Sequence, residues 1–125
     1  MADRGSPASR IVLVEDDFLV GVQLEEDLRA AGYVTFGPYN SLASAGDAAR
    51  RLAFDPAILD VNLKGKQVFP LADELAARGL PLILLTGYQL ADLPERFRGT
   101  PHLAKPHDPD SLIHAIRRLQ AGSTR

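Results

Sequence analysis

The chain has 125 residues, of which 46% are hydrophobic and 24% are charged, and its formal net charge is −2. This length and composition fit one globular domain and do not match disordered or fibrous proteins. Cysteine is absent, which excludes disulfides, thiolate nucleophiles and cysteine-ligated metal sites. Lys and Arg form no long block, so we expect no direct binding of nucleic acid.

The two ends of the chain differ in composition from the middle. Residues 1–9 are mostly small and polar, which predicts a flexible leader, and residues 122–125 form a short polar tail. The start of the chain lacks the apolar core of a signal peptide, and no apolar run has the length of a membrane span. We therefore expect one domain over residues 10–121, a cytoplasmic location and no contact with a membrane.

Five short apolar runs predict β-strands. They are Ile11–Val14, Val34–Phe36, Ala57–Leu59, Leu82–Leu85 and His102–Ala104. The third and fourth runs are apolar at every position, which is typical of parallel strands that are covered on both faces. Because parallel strands need right-handed crossover connections, the sequence predicts a doubly wound α/β domain with a five-stranded parallel sheet.

Apolar residues at helical spacing predict helices between and after these strands. The apolar positions are Val20, Leu24, Leu28 and Ala31, then Leu42, Ala45, Ala49 and Leu52, and finally Leu112, Ile113, Ile116 and Leu119. Asp17, Ser41 and Asp108 stand where N-caps are expected. The segment after Leu85 contains three prolines, so a fourth helix there must be short, such as Gln89–Phe97.

Polar side chains follow several predicted strands at the point where each strand ends. They are Glu15, Asp16 and Asp17 after the first strand, Asp60 after the third, Thr86 at the end of the fourth and Lys105 after the fifth. The carboxyl ends of parallel strands share one edge of the sheet, so we expect these side chains to converge. Converging carboxylates raise each other's pKa unless a cation neutralises them, and oxygen ligands suit a hard divalent ion such as Mg²⁺, or Mn²⁺.

This combination of side chains indicates a particular chemistry. A carboxylate can attack phosphorus and form an aspartyl phosphate, while a divalent ion, an ammonium and a hydroxyl stabilise the charge on the phosphoryl oxygens. Asp60, Lys105 and Thr86 supply the carboxylate, the ammonium and the hydroxyl.

Four motifs give the chain a family resemblance. They are VLVEDD, AILDVNL with Asp60, LLTGY with Thr86, and LAKP with Lys105. In this order and spacing, from about residue 10 to residue 120, the chain resembles the CheY-like receiver domain of bacterial two-component response regulators. The resemblance implies a flavodoxin-like (βα)5 fold with strand order 2-1-3-4-5.

The resemblance also implies a role for each matching residue. It implies that Asp60 accepts a phosphoryl group from a sensor histidine kinase in a Mg²⁺-dependent reaction, and that Thr86 and Lys105 bind that group. The implied metal ligands are Glu15 acting mainly through an ordered water, Asp16, Asp60 and the backbone carbonyl of Asn62.

The chain departs from the usual receiver pattern in two places. Lys64, Gly65 and Lys66 stand where the family commonly has a proline followed by glycines, so the shape of this loop is not predicted. His102 replaces the usual switch Tyr or Phe, and Tyr88 is our candidate for a replacement switch aromatic.

The segment LLTGY, followed by prolines, looks like a Phe-Ala-Thr-Gly subgroup of single-domain regulators. We accordingly expect a kinase of the HWE or HisKA2 type as phosphodonor and a monomer or weak dimer. Output would pass to a downstream protein target or phosphotransfer protein, or the domain would act as a phosphate sink.

Three other functions compete with this interpretation of the sequence. A receiver-like interaction module that works without phosphorylation would not need these polar residues. A haloacid-dehalogenase-type phosphatase, a turnover enzyme, needs a second carboxylate two positions after the nucleophile, where this chain has Asn62. A flavin-binding domain needs a hydroxyl- and glycine-rich phosphate loop after the first strand, where three carboxylates would repel phosphate.

Overall fold

The structure is a computed structural model, and it describes residues 10–87, 93–105 and 108–123. The strands are β1 (Arg10–Val14), β2 (Val34–Tyr39), β3 (Ala57–Asp60), β4 (Asn62–Leu63), β5 (Lys66–Gln67), β6 (Leu82–Thr86) and β7 (His102–Ala104). The helices are α1 (Phe18–Ala30), α2 (Leu42–Arg51), α3 (Phe69–Ala77) and α4 (Pro109–Ser123), with a 3-10 helix at Glu95–Phe97.

The main sheet has five parallel strands in the order β2-β1-β3-β6-β7, and β4 and β5 form a separate antiparallel hairpin. Counting only the strands of the main sheet, this is the predicted order 2-1-3-4-5. The predicted doubly wound, CheY-like fold is therefore confirmed. The leader at residues 1–9 lies outside the described residues, and α4 continues two residues beyond the predicted domain end at residue 121.

The core has two parts, one on each face of the sheet. In β1, Ile11 and Leu13 belong to one part and Val12 and Val14 to the other, and all four are buried. On the first face the helices α1 and α4 contribute Leu24, Leu28, Leu112 and Ile116. On the second face α2 and α3 contribute Ala45, Ala49, Ala72 and Leu75. Burial on both faces explains the unbroken apolar runs in the sequence.

All three predicted N-caps are confirmed. The side chain of Asp17 accepts a hydrogen bond from the Val20 backbone N–H at 3.0 Å. Ser41 Oγ accepts one from the Ser44 backbone N–H at 3.1 Å. Asp108 accepts from the backbone N–H of Ser111 at 2.7 Å at the start of α4. Each cap satisfies a backbone donor that the helix itself leaves unpaired.

Strand β2 is longer than predicted, because it continues from Phe36 to Tyr39 through Gly37 and Pro38. A Gly-Pro pair usually indicates a turn, and proline cannot donate a ladder hydrogen bond. Since β2 is an edge strand, the missing donor does not interrupt the sheet, and the register with β1 shifts between Val12 and Val14.

The predicted fourth helix, Gln89–Phe97, is wrong in its described part. Within residues 93–97 the structure has only the 3-10 helix Glu95–Phe97, preceded by Pro94 in an extended conformation. Proline disfavours helical geometry at the residue before it, which ends any helix at Leu93. Leu93 and Phe97 are nonetheless buried, and the Phe97 ring stacks on Phe69 with ring centroids 5.4 Å apart.

Candidate functional site

The carboxyl edge of the sheet forms an open cleft of about 410 Å³. Its lining includes Glu15, Asp16, Asp60, Asn62, Thr86 and Lys105, together with Asp17, Val61, Lys64, Gly65 and Gly87. Six of the seven predicted site residues thus line one cleft. The seventh, Tyr88, lies outside the described residues.

Three polar residues of the cleft are buried at the ends of their strands. Glu15 is 2% exposed, Asp60 5% and Thr86 2%. Burying an ionised carboxylate is unfavourable unless a cation or hydrogen-bond donors compensate it. The sheet therefore holds the Glu15 and Asp60 carboxylates where they need a positive partner.

Lys105 supplies a positive charge inside the cleft. Its Nζ lies 2.8 Å from Glu15 Oε1 and 3.0 Å from Asp60 Oδ2. The backbone fixes this position, because the Lys105 N–H donates to the Thr86 carbonyl at 2.9 Å and extends the pairing of β6 with β7. Burial alone would lower the pKa of Lys105, but its contacts with Glu15 and Asp60 outweigh burial and raise it. The side chain is held as an ammonium.

Glu15 has a strongly shifted pKa. Burial, with a further contribution from the nearby Asp60 carboxylate, raises the pKa of Glu15 to about 7, against the opposing effects of Lys105 and of the Asp17 N–H. That N–H donates to Glu15 Oε2 at 3.1 Å. One ammonium does not fully compensate the two buried carboxylates, so the cluster retains a deficit of positive charge.

Asp16 completes the acidic cluster. One oxygen from each of Glu15, Asp16 and Asp60 lies within 4.8 Å of the others. Partial burial would raise the pKa of Asp16, but hydrogen bonds, foremost that from the Lys64 N–H, lower it. Three converging oxygen ligands fit a small, hard divalent cation such as Mg²⁺, which prefers carboxylates to nitrogen or sulfur ligands.

Sequence reasoning missed the contribution of the β4–β5 hairpin. The backbone N–H of Lys64 donates to Asp16 Oδ2 at 2.8 Å, and the Asn62 N–H donates to Asp60 Oδ1 at 3.2 Å. The one sequence signal was Gly65, a residue often used in tight turns. Strands of two residues are too short for an apolar period to reveal them.

Comparison with known proteins relates this architecture to a family. A scan against protein-family models finds no match. The chain is 32% identical over 119 residues to the transcriptional regulatory protein PdtaR of Mycobacterium tuberculosis, a match that covers 92% of this chain. It spans 58% of the length of that relative.

Solved structures match over most of both chains. SdrG from Sphingomonas melonis Fr1 is 35% identical, with a TM-score of 0.79 over 89% of this chain and 95% of that one. The BeF3-activated conformation of SdrG matches with a TM-score of 0.78 over 91% and 98% of the two chains. The signal receiver domain of a modulated diguanylate cyclase from Desulfovibrio desulfuricans G20 is 30% identical, with a TM-score of 0.76 over 87% and 90%.

The chain belongs to the response-regulator receiver-domain family. Receiver domains are signalling proteins, and this receiver domain carries an acidic pocket that could hold a metal ion. Membership of the single-domain Phe-Ala-Thr-Gly subgroup stays a prediction. In the part of the receiver that the structure describes, no helix is long and apolar enough to cross a bilayer.

Proposed function

We propose that this receiver domain accepts a phosphoryl group from a histidine kinase onto Asp60, in a Mg²⁺- or Mn²⁺-dependent reaction. The observation that carries the proposal is the bridging position of the Lys105 ammonium, 3.0 Å from Asp60 and 2.8 Å from Glu15. An ammonium beside a buried carboxylate is placed to neutralise a phosphoryl group attached to that carboxylate.

The transfer itself is a displacement at phosphorus. A carboxylate oxygen of Asp60 forms a bond to phosphorus as the phosphorus–nitrogen bond of the donor phosphohistidine breaks. The bonding electron pair leaves with the imidazole nitrogen, and the ring takes up one proton from solvent. The products are an acyl phosphate on Asp60 and a neutral histidine on the donor.

Other residues of the cleft have supporting roles in this proposal. Glu15, Asp16, Asp60 and the carbonyl of Asn62 would hold the divalent ion, which supplies positive charge to the phosphoryl oxygens when bound. Lys105 pairs with a phosphoryl oxygen and the Thr86 hydroxyl donates a hydrogen bond to another. These last two contacts exist only in the phosphorylated state, so they favour an active conformation.

The partners are inferred at the level of class. The donor is a sensor histidine kinase, for which the HWE or HisKA2 type is our expectation from the LLTGY motif. The phosphorylated domain acts in the cytoplasm on a downstream protein or phosphotransfer protein, or drains phosphoryl groups as a sink. It is a signalling receiver and not a turnover enzyme, and Tyr88 is retained as the candidate switch aromatic.

Intact mass spectrometry tests this proposal directly. With Mg²⁺ and acetyl phosphate, we expect one added phosphoryl group that is stable in acid and labile in base. Asp60→Asn should abolish it, whereas the control Asp55→Asn, which changes an aspartate at the opposite end of β3 and outside the cleft, should be modified like the wild type.

The solved BeF3-activated form of SdrG suggests a second readout. Binding of BeF3⁻ to the wild type, but not to Asp60→Asn, is expected in the fluorine NMR spectrum. If neither acetyl phosphate nor a matched kinase modifies the wild type, the receiver works as an interaction module without phosphorylation.

A further inference from the structure

The β4–β5 hairpin, residues 62–67, contacts the acidic cluster through its backbone. It comes directly after β3, and Asn62 pairs with Gln67 and Leu63 with Lys66. The two residues between the strands, Lys64 and Gly65, form the turn. We call this segment the clamp hairpin.

The clamp hairpin is fixed to the core of the domain. Leu63 is 2% exposed and Val68 is fully buried. The Val68 N–H donates to the Val61 carbonyl at 2.8 Å, which closes the base of the hairpin. The turn at its tip is therefore held in a defined position relative to the sheet.

Two hydrogen bonds connect the clamp hairpin to two carboxylates that are distant in sequence. The Lys64 N–H donates to Asp16 Oδ2 at 2.8 Å, and the Asn62 N–H donates to Asp60 Oδ1 at 3.2 Å. Asp16 is the least buried of the three carboxylates in the cluster. The hydrogen bond from the Lys64 N–H fixes the position of this carboxylate relative to the clamp hairpin.

The turn that aims this N–H has an unusual backbone. Lys64 has φ +50° and Gly65 has φ +84°. Positive φ at both central residues is characteristic of a type I′ turn, for which lysine is an unfavourable first residue. The Gly65 N–H donates to the Asn62 side-chain oxygen at 2.9 Å, a hydrogen bond within the hairpin that stabilises the turn. Lys64 adopts this conformation because the surrounding contacts impose it.

We propose that the clamp hairpin holds Asp16 and Asp60 in the metal-binding arrangement, with Gly65 and Asn62 as positioning residues that fix the backbone of the turn. This inference rests on the proposed metal-binding function. It predicts that the conformation of the turn, and not the charge of the Lys64 side chain, sets the affinity for Mg²⁺. Groups that orient metal ligands typically change metal affinity about 10- to 100-fold when they are lost.

A glycine substitution with a matched control tests the inference. Gly65→Val places a branched side chain at φ +84°, and the chain relieves the strain by changing the turn and redirecting the Lys64 N–H. Gly79→Val creates similar strain at φ +76° at the end of α3, outside the cleft. At neither position would a new Cβ meet another atom within 4 Å, so the pair differs mainly in location.

The readouts are a Mg²⁺ titration followed by backbone amide NMR, and urea unfolding in a chelator. We expect Gly65→Val to bind Mg²⁺ about tenfold more weakly than the wild type, whereas Gly79→Val binds within about twofold at a similar loss of stability. Gly65→Asn should recover most of the affinity, since asparagine tolerates this backbone conformation. Lys64→Gly, which keeps the N–H, should bind as tightly as the wild type or more tightly.

Equal Mg²⁺ affinities for Gly65→Val and Gly79→Val would overturn the inference, and so would weak binding by Lys64→Gly. If Gly65→Val does not fold, the same comparison is made with Gly65→Ala and Gly79→Ala. A wild type that binds no Mg²⁺ would instead contradict the proposed function, so the two failures are distinguishable.

Discussion

Glu15 is the residue of the cleft whose charge depends most on conditions. It is 2% exposed, and burial raises its pKa to about 7 while Lys105 only partly compensates. Near neutral pH, the metal-free receiver therefore carries a proton on Glu15 in a substantial share of molecules. Because carboxylate ligands bind metal in their deprotonated form, Mg²⁺ binding is expected to release this proton.

The shifted pKa of Glu15 predicts how stability depends on pH. The pKa of Glu15 rises from 4.5 to about 7 on folding, so the folded state holds the proton more tightly than the unfolded state. The resulting contribution to the free energy of unfolding is fully present below about pH 4.5 and is lost as pH rises through 7. Gln cannot ionise, so metal-free Glu15→Gln should lose less stability than the wild type between about pH 5 and about pH 8. Urea unfolding in a chelator measures this difference.

The control for this measurement is Glu26→Gln, an exposed carboxylate on α1. Its unfolding midpoint should follow that of the wild type across the pH range. Parallel pH profiles for Glu15→Gln and the wild type would contradict a role of burial at Glu15. Saturating Mg²⁺ should stabilise the wild type more than Glu15→Gln, since only the wild type keeps all three carboxylates.

Helix α1 packs closely against β2 through a glycine. A Cβ built on Gly21 would lie 2.7 Å from Pro38 Cγ and 3.1 Å from Pro38 Cβ. Pro38 lies in the edge strand β2, and its pyrrolidine ring has little freedom to move aside. The close approach sets the distance between α1, whose N-terminus adjoins the acidic cluster, and the sheet.

Gly21→Ala is accordingly expected to destabilise the receiver by about 1–3 kcal/mol, because the new methyl group overpacks the contact with Pro38. Gly46→Ala is the matched control in α2, where the nearest atoms to a new Cβ are the two terminal guanidinium nitrogens of Arg50, at 3.5 and 3.6 Å. Arg50 can move, and alanine favours helix, so this variant should gain about 0.5–1 kcal/mol. Urea unfolding measures the change in the free energy of unfolding for both variants. Changes of the same sign would contradict the packing explanation.

Elements that bury a regular apolar pattern could be predicted from the sequence, and elements held by single contacts could not. The fully apolar runs at Ala57–Leu59 and Leu82–Leu85 gave correct strands, because both faces of the sheet are covered. The clamp hairpin has one buried side chain in four strand residues, and Lys64 adopts its backbone conformation through tertiary contacts. Local sequence contains too little information for either feature.

The site is assembled from four strands of the main sheet. Glu15, Asp60, Thr86 and Lys105 lie at or just after the ends of β1, β3, β6 and β7. Their convergence could be predicted from topology alone, since parallel strands end at one edge. The distances could not: the bridging ammonium and the Asp16–Lys64 contact depend on side-chain and loop conformations that exist only in the folded domain.

A ligand that binds only the assembled edge should stabilise the whole domain. Mg²⁺ at about 100 times its Kd is expected to raise the unfolding free energy by about 2.7 kcal/mol. Asp16→Asn should lose most of this gain, because it removes one of the three converging carboxylates. Asp17→Asn removes the same charge one residue later and keeps an N-cap for α1, so it should retain most of the gain.

Thermal unfolding with and without Mg²⁺ measures these gains. Equal loss of the Mg²⁺ effect in the two variants would mean that only the overall charge of the acidic run matters. That outcome would contradict a metal site with specific ligands.

The late position of Lys105 has a consequence for protein synthesis. At a ribosomal rate of about 5–20 residues per second, Asp60 emerges a few seconds before Lys105. During that interval the nascent chain holds Asp60, the proposed phosphoacceptor, without the Lys105 ammonium that bridges Asp60 to Glu15 in the finished domain. If Asp60 is the phosphoacceptor as proposed, we expect an unfinished chain to accept phosphoryl groups poorly, because the ammonium that would neutralise them is not yet in place.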